Sequence, residues 1–114
     1  MNQVIEIRSY TLKPGATALF HQVMLEQSLP MLLSSGIDVI ASRSSLHSTD
    51  SYLLIRAYSN LAQRSQKQDE FYGSTAWLQG PREAVMACIE SYTTVVIEAD
   101  QSTIDSLRHV PFSA

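Results

Sequence analysis

The stretch Ile5-Glu6-Ile7-Arg8-Ser9-Tyr10-Thr11-Leu12 alternates in the manner of an extended strand, and the Lys13-Pro14-Gly15 turn that follows it leads into a helical pattern. Glu6, Arg8 and Tyr10 fall on one side of that strand, and Ile5, Ile7 and Ser9 on the other. A strand with charges on one face ordinarily shows that face to water. Residues 52–58 repeat the arrangement, however, with Tyr52, Arg56 and Tyr58 in phase. Two strands that each hold Arg and Tyr in phase suggest a polar interior, shared with a partner or lining a pocket.

The remaining segments arrange themselves around these strands. After Pro14-Gly15, the residues Ala18, Leu19, Phe20, Val23 and Met24 lie along one side of a helix. Pro30 is expected to break or kink it, because its ring clashes with the carbonyl four residues earlier. A short apolar turn, Met31 to Leu33, then runs to a stop at Gly36. Residues 37–46 read as a strand with Ile37, Val39 and Ala41 on one side, and residues 48–51 as the turn of a hairpin into residues 52–58. Ser59 or Asn60 caps a helical segment reaching about Tyr72, and Gly73 ends it. Ser74 caps a short turn with Trp77 and Leu78, and Pro81 opens a further helix whose buried side is Val85, Met86 and Ile89. Residues 92–98 form the last strand, and the tail from Asp100 offers Leu107, Val110 and Phe112 as anchors.

The order is βαββαβ, which predicts an α+β fold: a ferredoxin-like antiparallel sheet with helices on one face. Those helices cover one sheet face and no more. The face carrying Glu6, Arg8, Tyr10, Arg56, Tyr58 and Tyr92 is assigned here to the uncovered side. A patch mixing aromatic and charged groups usually marks an interface, so sheet-to-sheet pairing in a homodimer is the economical arrangement.

Composition narrows the partners. A chain of 114 residues is one domain, able to bury roughly two-thirds of its unfolded surface. A net charge of −3 gives no electrostatic footprint for nucleic acid, and no run of like charges forms an interaction tail. Cys88, the one cysteine, has no internal disulfide partner, in keeping with a reducing, cytoplasmic setting. No apolar stretch approaches the roughly 20 residues of a membrane span, and the early strand leaves no room for a signal peptide.

Three stretches together resemble the NIPSNAP family of the dimeric α+β barrel superfamily: residues 5–15, then Leu29-Pro30-Met31-Leu32, then Arg56-Ala57-Tyr58-Ser59-Asn60-Leu61-Ala62-Gln63-Arg64. Trp77 and the helix after it fit the family's later part, and the resemblance spans about residues 3–99. It implies one ferredoxin-like domain over residues 1–99, followed by a C-terminal tail over 100–114, with two protomers pairing into a barrel. It implies no settled chemistry, although related families include cofactor-free monooxygenases, haem-degrading enzymes and chlorite dismutase-like proteins. The chain departs from the family at Ser42-Arg43-Ser44-Ser45, where members often carry a Gly and a Trp. It departs again at Thr75, where an acidic residue often stands.

Arg8 and Arg56 lie on adjacent strands, with Glu6 and Glu98 available to balance them. They read either as an anion-capturing pair or as an ion-pair network that sets dimer register. Tyr10 and Tyr58 each stand near a strand end and a helix entry, and join the arginines as candidate ligand contacts. Trp77 and Tyr92 read as packing residues. Gly80-Pro81-Arg82-Glu83 reads as a helix start, with Glu83 complementing the dipole. No histidine pair has metal spacing, no His-Cys cluster exists, and no Gly-x-Ser-x-Gly elbow is present, so no metal, haem or other cofactor is expected. Cys88 reads as inert packing.

Two functions of different class remain. One is binding of a small molecule between sheet and helices, extending to cofactor-independent oxygenation with Tyr10, Tyr58, His21 or Glu6 as base. The other is a non-catalytic dimeric scaffold.

Overall fold

The structure, a computed structural model, describes residues 2–109. Its centre is β1 (Gln3–Leu12), flanked by β3 (Ser51–Tyr58) and β4 (Ile89–Ala99), with β2 (Asp38–Ser44) beyond β3. The sheet order is β2-β3-β1-β4, and every pairing is antiparallel. Together with the helices between the strands, this is the ferredoxin-like α+β arrangement that the element order predicts. The expected anchors Val110 and Phe112 lie outside the described residues.

The first helical connection runs from α1 (Thr17–Val23) through a π-helical turn at Met24–Ser28 into α2 (Leu29–Ser34). Pro30 was expected to break or kink this helix; the chain stays helical, but through a distorted π-helical turn just ahead of the proline. The Leu29 N–H reaches back five residues to the Met24 carbonyl, widening the turn just where proline has no N–H to give. Gly15 and Gly36 bracket the unit, both at φ 77°, a left-handed conformation that other residues adopt at a cost.

The second connection is in three pieces: α3 (Leu61–Tyr72), α4 (Thr75–Gln79) and α5 (Arg82–Cys88). Asn60 caps α3 by accepting from the Gln63 N–H at 2.8 Å, and Ser74 caps α4 by accepting from the Trp77 N–H at 3.2 Å. A final helix, α6 (Gln101–Leu107), follows β4.

The two sheet faces are the reverse of the expected assignment. Tyr10, Leu12, Tyr52, Leu54 and Tyr58 pack against Phe20, Val23, Leu29, Phe71, Trp77 and Val85 of the helices, forming the main core. Register puts Glu6 opposite Arg56 and Tyr10 opposite both Tyr52 and Tyr92, so the charged and aromatic face is the one α1–α5 cover. Alternation identifies two faces without saying which is wet. Here the polar groups bond to one another and to helix side chains, and can therefore be buried.

The other face carries Ile5, Ile7, Leu53, Ile55, Ala57, Val95 and Ile97. α6 closes one corner of it, where Ile104 packs among Ile40, Ala41 and Ala99. The Arg108 guanidinium holds that corner by donating to both Asp38 oxygens, at 2.9 and 3.1 Å. Ala41 was expected beside Val39. A bulge between them turns Ile40 and Ala41 together toward α6 and leaves Val39 in the main core. Leu107, by contrast, is 40% exposed. Beyond α6 the face is open, with Val95 55% and Ile97 46% exposed.

Candidate functional site

Three elements meet over the middle of β1. β1 and β3 bring Glu6, Arg8, Tyr10, Arg56 and Tyr58 to the covered face; α3 adds Arg64, Gln68 and Tyr72 from above. Glu6 is completely buried and both its oxygens are occupied. Arg56 grips Oε1 through Nε at 2.9 Å and through Nη2. Arg64 grips Oε2 through Nε at 2.8 Å and Nη2 at 2.6 Å, and Gln68 donates to the same oxygen. Burial alone would raise the Glu6 pKa. Arg56, the Gln68 hydrogen bond and Arg8 outweigh it and bring the carboxyl from the usual 4.5 down to about 2. Glu98, the other acid expected to balance the arginines, is exposed and instead accepts a long 3.4 Å bond from Asn2.

Arg56 is fully buried and has a partner for each nitrogen of its fork, because Nη1 donates to the Tyr72 hydroxyl at 2.7 Å. It is an interior cross-link between β3, β1 and α3. Arg8 differs. Its Nη2 stands 3.6 Å from Glu6, its Nη1 makes a long 3.4 Å bond to Tyr72, and its buried Nε has no hydrogen-bond partner among the described residues. Its guanidinium lies 4.9 Å from the centre of the Tyr92 ring, a cation–π contact.

Arg8 also borders a cavity of about 330 Å³ between the sheet and α3–α5. Tyr10 and Tyr92 form its sheet side; Gln68, Tyr72 and Trp77 form one wall and Arg82, Val85, Met86 and Ile89 the other. Of the four expected ligand contacts, Arg8 and Tyr10 are on this lining. Arg56 sits behind it, and Tyr58 sits off it, accepting from Gln68 at 3.2 Å. Tyr92 was expected in packing; it is 51% exposed and lines the cavity. Met86, assigned to a buried side, is 45% exposed at the same rim.

Sequence reasoning missed Arg64 and Gln68 as partners of the site, and had Tyr72 only among the aromatic residues able to line a pocket. All three lie on one face of α3 at spacings of four residues, a signal that became readable only once Glu6 was known to lie beneath. Arg64 also closes the motif that carried the family resemblance.

None of the four expected bases is set up to take a proton in the cavity. Glu6 has no free oxygen and stays ionised to about pH 2. Tyr10 is pushed up to about 12 by burial and by Tyr72, against the pull of Arg8 and Arg56. Tyr58 is raised by burial and lies off the cavity. His21 is committed elsewhere: its Nδ1 is 2.7 Å from the Tyr52 hydroxyl, which also bonds Ser42 at 2.8 Å, pinning α1 to the sheet. Cys88 is buried in the main core, and that burial raises its thiol pKa. Among the described residues, no group of three or more His, Cys, Asp or Glu could hold a metal ion.

This fold is that of the NIPSNAP proteins of known structure, as the sequence resemblance implies. A NIPSNAP family protein of unknown function from Agrobacterium tumefaciens superposes with a TM-score of 0.78 at 20% identity, over 97% of this chain and 94% of that one. An uncharacterised NIPSNAP domain protein from Burkholderia xenovorans gives 0.76 at 14% identity, over 86% and 95%. A proposed antibiotic biosynthesis monooxygenase from Bordetella bronchiseptica gives 0.64 at 18% identity, over 89% and 98%. No protein-family model and no curated protein sequence matches the chain. Among the described residues, no helix is long and apolar enough to cross a membrane.

Proposed function

We propose that this protein binds a small molecule in the cavity between the sheet and α3–α5, as a homodimer joined through its opposite sheet face. The observation that carries the reading is the cavity itself. Its volume falls at the lower end of ligand-pocket sizes, and its lining is largely apolar and aromatic, with a few convergent polar groups. Arg8 and Tyr10 are the contacts, and Arg56 and Tyr58 support them from behind. The dimer face is the open one around Ile7, Leu53, Val95 and Ile97, whose uncovered β-branched side chains suit a second sheet. A reducing, cytoplasmic setting agrees with the free, buried Cys88.

The test is a screen of metabolite-sized compounds at millimolar concentration, read by melting temperature and by emission of Trp77. Because Trp77 is the only tryptophan and lines the cavity, a compound that moves both readouts is placed there. A screen in which nothing moves either readout would overturn the reading.

Likeness of fold to proposed monooxygenases favours a second reading, cofactor-independent oxygenation of the bound molecule. It requires a base, and none of the four candidates is free to serve as one in the cavity, so binding is the better-supported function. Oxygen consumption in the presence of a screened ligand would reverse that order.

A further inference from the structure

We infer that the cavity selects a carboxylate carried on an apolar or aromatic body, with Arg8 as the residue that reads the charge. This rests on the proposed small-molecule site and names the class of molecule that fits it. Around the cavity floor three guanidiniums, those of Arg8, Arg56 and Arg64, share a single carboxylate, Glu6. Both oxygens of Glu6 are taken up by Arg56, Arg64 and Gln68, so Arg8 is left without a full partner. The cavity lining then adds Arg82 and contains no acidic residue at all.

The Arg8 side chain is 12% exposed, and beyond its long bond to Tyr72 and its 3.6 Å approach to Glu6 the buried Nε has no acceptor among the described residues; a buried cation with incomplete hydrogen bonding is unfavourable. A carboxylate supplies the missing acceptors in the planar geometry of the fork. Tyr92, whose ring centre lies 4.9 Å from the guanidinium, braces that fork from one side. The rest of the ligand meets Trp77, Val85, Met86 and Ile89, which give the lining an apolar surface beside the charge of Arg8 and Arg82. The site therefore matches an acid with one charged end and one greasy end.

Phenylacetate, 4-phenylbutanoate and 2-naphthoate, each paired with its neutral carboxamide, test this by titration calorimetry and Trp77 emission. The expected result is that at least one acid binds tenfold or more tightly than its amide, a preference that Arg8→Gln abolishes while leaving amide binding in place. Arg8→Lys should retain part of the preference, since it keeps the charge and loses the fork. Arg82→Gln, on an exposed residue, serves as the second variant and should reduce the preference without touching the fold. Equal binding of acid and amide would overturn the inference while leaving the pocket standing. Failure of every acid and every amide to bind would overturn the pocket reading with it.

Discussion

Glu6 on β1 carries an arginine fork on each of its oxygens and anchors the polar cluster beneath α3. Removing its charge by Glu6→Gln leaves three guanidiniums facing each other in a buried space. Breaking a buried pair from one side costs about 3–5 kcal/mol, and urea unfolding at neutral pH should show a loss of that order. Because the folded carboxyl titrates near 2 and the unfolded one near 4.5, its stabilisation is complete above about pH 4.5. It is lost as the pH falls through that window toward 2. The native protein should therefore lose stability across it, by about 3 kcal/mol from this group, whereas Glu6→Gln should be flatter there. The two strand arginines separate in the same way. Arg56→Gln strips Glu6 of its principal partner and should unfold the protein or lower its melting temperature severely, while Arg8→Gln should leave it folded, with a stability change within about 1 kcal/mol. Thermal unfolding of the pair, side by side, reads this directly. Sequence alone placed Arg8 and Arg56 on one face but could not divide their roles, because the division depends on residues of α3 that lie more than 50 positions from β1 in the chain.

The elements themselves were largely legible: β1, the hairpin of β2 and β3, and the capped starts of α3 and α4 follow from alternation, turn residues and the Asn60 and Ser74 side chains. What periodicity could not supply was insertion and sidedness. The bulge at Val39–Ala41 adds a residue and so reverses which of the following side chains face the helices. The π-helical turn ahead of Pro30 absorbs a proline that local rules treat as a break. α6 is the element with the clearest single anchor, since Ile104 is completely buried against Ile40 and Ala41. Ile104→Ala should cost about 2–4 kcal/mol, with hydrogen exchange rising first at the Ile40 corner, where the His109 N–H bonds the Ile40 carbonyl at 2.7 Å.

At the scale of the molecule, the sheet divides the protein into a helix-covered side that holds the cavity and an open side suited to a second copy. Reading the first strand as half-solvated inverted these two sides, since charged residues at alternate positions look wet unless their partners are known. Val95→Glu on the open face should convert the proposed dimer to monomer in sedimentation velocity without lowering helix content, and an unchanged sedimentation coefficient would argue against that face. The proposed division of labour between the arginines can be read from a side-chain ¹H–¹⁵N spectrum of their Nε–H groups during titration with phenylacetate, 4-phenylbutanoate and 2-naphthoate. The Arg56 and Arg64 signals, bonded to Glu6, should be protected from exchange and stay in place, while that of Arg8 moves downfield as it gains an acceptor. Movement of Arg56 with an unmoved Arg8 would overturn that division.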